Sequence, residues 1–140
     1  MDSDGVWPAV VMLVSPDNSD WREMQGILGR GDWLLRRARG CTEALNLVRE
    51  RETAVVLCCS LLPDGTWRDL LARLRELDHP PNLMVLSEAA DDFLWADVLD
   101  EGGYDLLSLP LNPGEALQAV RFANAAWHLN LHAGRVAGTA

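Results

Sequence analysis

Short runs of hydrophobic residues alternate along the chain with segments in which apolar residues recur at helical spacing. Residues 10–14 are apolar at every position and mostly β-branched, which is typical of a strand buried on both faces. Residues 15–20 are rich in Ser, Asp and Asn, which commonly begin helices. Apolar positions then recur on one helical face up to Leu28, where Gly29 ends the pattern. The opening segment therefore predicts a buried strand followed by an amphipathic helix.

The same strand–helix alternation occurs five times. The predicted strands cover residues 10–14, 33–36, 54–59, 83–86 and 104–107. The first predicted helix ends at residue 28. The other four cover residues 42–51, with Thr42 as the cap, and residues 67–77, 91–100 and 113–132. Strands that are apolar on both faces indicate a parallel sheet covered by helices on each side. With right-handed crossovers, the expected fold is α/β: a (βα)₅ doubly wound, five-stranded parallel sheet.

Length and charge reduce the number of function classes that fit the chain. A chain of 140 residues predicts one domain, here residues 1–132, followed by a flexible Gly/Ala-rich tail at 133–140. The 21 acidic and 12 basic residues give a net charge of −9, which disfavours nucleic acid and anionic membranes as ligands. All the basic residues are Arg, so chemistry that needs a lysine ammonium is excluded. The acidic run at 88–105 and the Arg-rich segment at 30–39 are charged patches that can steer association with a protein.

Cysteine content and the N-terminal residues predict a cytoplasmic protein. An odd number of Cys, with Cys58 and Cys59 adjacent, does not fit a secreted disulfide framework. Residues 1–5 are acidic, unlike a signal peptide, and the apolar runs are far shorter than the ~20 residues that span a membrane.

Candidate functional residues lie where the predicted strands end, because ligand sites in such sheets form beyond the carboxyl ends of the strands. Four connections meet there: residues 15–20, 59–65, 87–92 and 108–110.

In these connections the chain resembles, from Val6 to about Leu129, a response-regulator receiver domain of the CheY-like, flavodoxin-like type. The shared spacing is Pro63 four residues after the end of strand three, Ser87 at the end of strand four, and Pro110 after strand five. Gly65 follows Pro63 by two residues, where the family usually has four. The resemblance implies a role in two-component, phosphorelay-type signal transduction, with a histidine kinase, another receiver or an output protein as partner.

The residues that perform the family's phosphorylation chemistry are mostly replaced. Ser15 and Pro16 stand where the family has a pair of acids, and Cys59 stands where it has the phosphoacceptor Asp. Leu109 replaces the conserved Lys, and the hydroxyl position alone is retained, as Ser87.

These replacements predict a pseudo-receiver that is not an enzyme and acts by protein–protein contact. Phosphoryl transfer needs a carboxylate nucleophile and a Mg²⁺ held by oxygen ligands, whereas a thiol binds Mg²⁺ poorly. We therefore expect no cofactor and weak or absent Mg²⁺ binding.

Three other interpretations compete with this one. Asp17 and Asp20 are candidates to replace the lost metal ligands and retain a Mg²⁺ or phosphate response, although helix capping also explains them. Cys59 is a candidate thiol redox sensor, although a buried Cys commonly acts as a small hydrophobe. His128 and His132 have metal-compatible spacing but no further ligand beside them.

A partner surface is expected on the face formed by helix four, strand five and helix five, which receivers commonly use for dimerisation and output. Trp95 and Tyr104 lie on this face. On the last helix, Trp127 shares an apolar stripe with Val120, whereas Phe122 lies roughly 200° from Val120. One of the two aromatic rings, Phe122 or Trp127, is therefore expected to be exposed unless a loop or the tail covers it. The partner is a second protein or a homodimer.

Overall fold

A five-stranded parallel sheet with helices on both faces forms the body of the protein. The computed structural model describes the backbone of residues 9–139 and the side chains of residues 9–130. The strands are β1 Ala9–Val14, β2 Trp33–Ala38, β3 Thr53–Cys59, β4 Leu61–Leu62, β5 Gly65–Thr66, β6 Asn82–Ser87 and β7 Asp105–Ser108. The helices are α1 Asn18–Leu28, α2 Cys41–Glu50, α3 Trp67–Leu74, α4 Asp92–Asp100 and α5 Pro113–Thr139.

The sheet has the strand order β2-β1-β3-β6-β7, and every pair is parallel. The predicted (βα)₅ doubly wound fold is thus confirmed. The direction of winding changes between β1 and β3, and the carboxyl ends of these strands meet there. Val14 pairs with Cys58, and Cys59 pairs with Leu86. This register places the ends of β1, β3 and β6 side by side, at the edge where the sequence predicts a site.

Two apolar layers hold the sheet between its helices. On one face, α1 and α5 pack through a cluster that includes Met24, Leu28 and Val120. On the other face, α2, α3 and α4 pack through a cluster that includes Leu70 and Val98. Both layers form because the central strands are apolar on successive positions, so each face of the sheet buries side chains. In the described part of the chain, no helix is long and apolar enough to cross a membrane.

Three local features differ from the sequence prediction. A two-stranded antiparallel hairpin, β4–β5, is inserted between β3 and α3, where the sequence indicated a turn. The predicted cap of α2 was wrong: the helix begins at Cys41, and Gly40 rather than Thr42 is its N-cap residue. Helix α3 ends at Leu74, three residues before the predicted end.

The last helix is longer than the sequence indicated. It continues to Thr139, whereas the pattern indicated an end near residue 132. The side chain of His132 and the proposed tail at 133–140 lie outside the fully described residues, so the flexible tail stays a prediction.

The ambiguity between the two aromatic residues of α5 is resolved. Trp127 is 7% exposed and belongs to the apolar layer beneath α5, together with Ala116, Val120 and Ala123. Phe122 is 59% exposed. The suggestion that Trp127 contributes to a partner surface was therefore wrong, because its helical position directs the ring into the core.

We expect substitution of these two aromatics to have very different effects on stability. Trp127→Ala should lower the free energy of unfolding by about 3–5 kcal/mol, because it leaves a cavity in the core. Phe122→Ala should change it by less than about 0.5 kcal/mol. Urea unfolding followed by circular dichroism measures both, and equal losses would contradict the assignment of Trp127 to the core.

Candidate functional site

The candidate site lies at the carboxyl ends of the central strands. Ser15 directly follows β1, Cys59 ends β3, and Ser87 ends β6. Leu109 follows β7, and its backbone N–H donates to the Ser87 carbonyl at 2.9 Å. Pro16 is exposed beside Ser15. The parallel register brings the five sequence-predicted positions to one edge of the sheet.

Asp20, in the first turn of α1, joins the two nearest of these positions. Its Oδ2 accepts a hydrogen bond from the Ser15 hydroxyl at 2.8 Å and one from the Cys59 thiol at 3.4 Å. Ser15 is fully buried, and Asp20 and Cys59 are half-buried. The carboxylate that α1 supplies is thus engaged by two protein donors at the centre of the site.

The second candidate metal ligand, Asp17, caps a helix. It is the N-cap residue of α1, and its Oδ1 accepts from both the backbone N–H and the hydroxyl of Ser19, each at 2.7 Å. These bonds from Ser19 lower the pKa of the exposed Asp17 carboxyl. Within the described residues, no three His, Cys, Asp or Glu side chains are grouped so that they could hold a metal ion.

Arg37 is a site residue that sequence reasoning missed. From the end of β2, its guanidinium donates to the Ser15 carbonyl at 3.2 and 3.4 Å and to Asn18 Oδ1 at 2.8 Å. These bonds fix the connection between β1 and α1, and so the position of Ser15. The available signal was the position of Arg37 near the end of an edge strand adjacent to β1.

The Cys59 thiol is held in its protonated form. Burial raises its pKa most, the Ser15 hydroxyl partly opposes this and the charge of Asp20 adds to it, so that the pKa is about 11. Cys58 is fully buried, and burial also raises its pKa well above the usual value. Since the thiolate is the reactive form of cysteine, this environment disfavours the redox-sensor interpretation.

Ser87 and Leu109 form the other side of the site. The buried Ser87 hydroxyl accepts from the Ala89 backbone N–H at 3.1 Å. Leu109 packs against the apolar layer beneath α5. Neither Ser87 nor Leu109 therefore brings a charge to this side of the site.

The β4–β5 hairpin is held against α2 by a carboxylate from its turn. Asp64 accepts from the backbone N–H groups of Cys41 at 2.8 Å and Thr42 at 3.0 Å, the first donors of α2. Gly40 permits this contact, because a Cβ there would lie 2.5 Å from Asp64 Oδ1. The same hydrogen bonds lower the pKa of Asp64. The residue after Pro63 thus caps a helix that is distant in sequence.

The proposed partner face is partly apolar. Trp95 on α4 is 48% exposed, and Phe122 on α5 is exposed as described above. Tyr104, just before β7, is half-buried and packs against the α5 layer. The acidic residues near α4 are partly paired, since Arg68 of α3 contacts Asp97 at 3.3 Å.

Comparison with known proteins identifies similar solved structures. No family model and no curated protein matches the chain. The signal receiver domain of an HD domain-containing protein from Pseudomonas fluorescens Pf-5 is 28% identical, with a TM-score of 0.82 over 91% of this chain and 94% of that one.

Two further structures are similar at lower identity. A CheY-like response regulator receiver domain protein from Methanospirillum hungatei JF-1 is 17% identical, with a TM-score of 0.78 over 89% of this chain and 99% of that one. The beryllofluoride-activated NtrC4 receiver domain dimer is 18% identical, with a TM-score of 0.77 over 84% of this chain and 98% of that one. These two likenesses concern the fold.

We expect Cys59 to react slowly with iodoacetamide while the protein is folded. With a pKa of about 11, roughly one thiol in a thousand is ionised at pH 8. Labelling at Cys59, followed by peptide mass spectrometry, should therefore accelerate by about two orders of magnitude in denaturant. Asp20→Asn should raise the rate in the folded protein and Ser15→Ala should lower it. Fast labelling of the folded wild type would contradict the protonated thiol.

Asp64→Ala should lower the Tm, because α2 loses its side-chain cap. The pKa of Asp64 is lower in the folded protein than its usual value of 3.8. The Asp64 carboxylate therefore contributes its full stabilisation of the folded state above pH 3.8. The contribution is lost as the pH falls through the lowered pKa. The difference in Tm between wild type and variant should therefore be largest near neutral pH and shrink in acid. The exposed Asp78, replaced by Ala, is the control, and an equal loss in both variants would argue against capping.

Proposed function

We propose that this chain, which is a receiver domain of the CheY-like type, acts in two-component signal transduction through protein–protein contact and without phosphorylation of an Asp. In this role it is a constitutive adaptor, or a competitor for a partner that binds receivers. A histidine kinase, another receiver and an output protein are the partner classes that the fold suggests.

The observation that carries this proposal is the Cys59–Asp20 contact. Cys59 occupies the end of β3, where the resemblance places the phosphoacceptor. Its thiol is protonated and donates to Asp20 Oδ2 at 3.4 Å. A neutral thiol is a weak nucleophile, and sulfur is a poor ligand for Mg²⁺. At the phosphoacceptor position, this chain thus has a protonated thiol, and the hydrogen bond from that thiol to Asp20 stabilises the site.

The neighbouring positions support the same proposal. Ser15 donates its hydroxyl to Asp20 and carries no charge of its own, and Pro16 has no side-chain ligand to offer. Leu109 cannot pair with a phosphoryl oxygen, as an ammonium group would. Transfer of a phosphoryl group depends on positive charge that neutralises the developing negative charge. In the described site, none of these three positions supplies a positive charge.

A retained Mg²⁺ response is the second candidate, and one observation favours it. Asp20 places a carboxylate within 3.4 Å of the Cys59 thiol, in the centre of the site. One or two carboxylates commonly hold Mg²⁺ in proteins. For this alternative, the ion would have to displace Ser15 and Cys59 from Asp20 Oδ2.

Titration of the ¹⁵N-labelled protein with Mg²⁺, then with Mg²⁺ and beryllofluoride, tests the proposal. Beryllofluoride mimics a phosphoryl group. We expect the amide signals of residues 15–20, Cys59 and Ser87 to stay unshifted at millimolar Mg²⁺. Intact mass after incubation with acetyl phosphate should likewise show no phosphoryl adduct.

The variant Cys59→Asp is the matched comparison, because it places a second carboxylate beside Asp20. We expect it to gain Mg²⁺-dependent shifts in residues 15–20. Saturable shifts of the same residues in the wild type, or a phosphoryl adduct on it, would overturn the proposal in favour of the second candidate.

A further inference from the structure

A small polar cavity lies at the end of the sheet opposite the candidate site. It has a volume of about 230 Å³ and is formed between α5 and the connection from α1 to β2. Trp33, the first residue of β2, pairs with the first residue of β1, so the cavity is at the amino-terminal ends of these strands. Its lining consists of three charged side chains, an amide, an indole and a glycine: Arg30, Arg121, Asp32, Asn124, Trp33 and Gly31.

Local structure fixes the wall that Trp33 contributes. The carbonyl of Leu28 accepts from Trp33 Nε1 at 2.8 Å and from the Gly31 backbone N–H at 3.1 Å. Gly31 lies so close to the indole that a Cβ on it would be 2.1 Å from two ring carbons. The N–H of the indole is therefore already used, and Trp33 offers the cavity only apolar ring surface.

Asn124 brings to this lining a buried acceptor without a donor. Its side-chain Oδ1 is shielded from solvent, and no described group donates a hydrogen bond to it. It is the only buried side-chain nitrogen or oxygen in the described part of the chain with this property. Folded proteins rarely keep such an atom, because burying an acceptor without a donor is destabilising. The terminal torsion of Asn is broad, so a small rotation of the amide presents this oxygen to a molecule in the cavity.

The three charged side chains of the lining are not paired with one another. Arg30, Asp32 and Arg121 form no salt bridge and no side-chain hydrogen bond with any other described residue. Two positive charges and one negative charge therefore border one small polar cavity, and the lining has a net charge of +1. This excess of positive charge occurs in a chain whose net charge is −9.

We propose that this cavity binds a free amino acid that carries two carboxylates and one ammonium group, of the aspartate or glutamate type. The guanidinium groups of Arg30 and Arg121 donate to the two carboxylates, for which the planar fork of Arg is well suited. The ammonium group donates to Asn124 Oδ1 and to the carboxylate of Asp32. The net negative charge of the ligand matches the net positive charge of the lining.

Simpler ligands match fewer of these groups. A phosphate or a plain dicarboxylate pairs with the two Arg side chains, but it leaves Asn124 Oδ1 without a donor and is repelled by Asp32. A simple amine has the opposite defect, because it faces both guanidinium groups. A water molecule donates to Asn124 Oδ1 but leaves the three charges unpaired. The cavity is also smaller than the roughly 300–1,000 Å³ of sites for drug-sized ligands, which disfavours a nucleotide.

The exposure of the charged groups predicts modest affinity. Arg30, Asp32 and Arg121 are exposed, and Asn124 is half-buried. Ion pairs at such positions are weakened by water and by salt. We expect a dissociation constant on the order of 1 mM at low ionic strength, and weaker binding as NaCl is added.

Titration of the ¹⁵N-labelled full chain with sodium L-glutamate and sodium L-aspartate tests the proposal. At least one of them should give saturable shifts of the Gly31 and Asp32 amides, the Trp33 indole N–H and the Asn124 side-chain NH₂. Sodium acetate at equal ionic strength should not. Glutarate lacks the ammonium group and γ-aminobutyrate lacks the α-carboxylate, so each should bind at least about tenfold more weakly than L-glutamate.

Two variants separate binding from charge and from folding. Arg121→Gln should weaken binding by about tenfold, because one charge-assisted pair is lost. Arg73→Gln is the matched control, since it removes the same charge from an exposed position on α3, across the sheet. Asn124→Leu should also weaken binding, yet it should raise the Tm of the free protein, because it removes the buried acceptor that has no donor.

Several outcomes would overturn the proposal. They are the absence of saturable shifts with both amino acids, equal affinity for glutarate and L-glutamate, and equal weakening by Arg73→Gln and Arg121→Gln. A lower Tm for Asn124→Leu would show that water or protein already satisfies the amide, and would also count against the site. Binding at this end of the sheet needs neither Mg²⁺ nor phosphorylation, so the proposed function stands or fails separately.

Discussion

Parallel pairing of the three strands β1, β3 and β6 is the constraint on which the rest of the structure depends. Their side chains are buried on both faces, so the register cannot slip without exposing apolar residues to water. That register pairs Val14 with Cys58 and Cys59 with Leu86. It also brings the carboxyl ends of the strands together at one end of the sheet, where residues distant in sequence become neighbours. The candidate site and the proposed partner face are both consequences of this arrangement.

At the carboxyl ends of these strands, the polar groups of the candidate site bond to one another. The half-buried thiol of Cys59 and the buried hydroxyl of Ser15 both donate to the carboxylate of Asp20. Arg37 fixes the backbone beside them, and Asp64 fixes the following hairpin to α2. Each of these polar groups therefore has a partner within the protein. Such a site is suited to holding one conformation, which agrees with a domain that acts as a binding surface.

The outer surface differs from the strand ends, because several of its apolar side chains have no cover within the described residues. Trp95, Phe122 and Leu129 are apolar residues that the described chain leaves exposed, on elements that flank the same edge strand. Burial of such residues in a partner or a second copy gains hydrophobic free energy without any change at the strand ends. Signalling through this face would therefore need no chemical switch at Cys59.

The sequence by itself determined the (βα)₅ order, the parallel sheet and the five positions at the strand ends. It did so because continuous apolar runs and helical spacing are local patterns that survive without knowledge of contacts. Only the tertiary structure decided that Asp20 rather than Asp17 reaches Cys59, that Asp64 caps α2, and that Arg37 supports Ser15. The same holds for Trp127, which is buried, and Phe122, which is exposed. These outcomes depend on which side chains meet across the fold, and contacts between segments some twenty or more residues apart leave no periodic signal in the sequence.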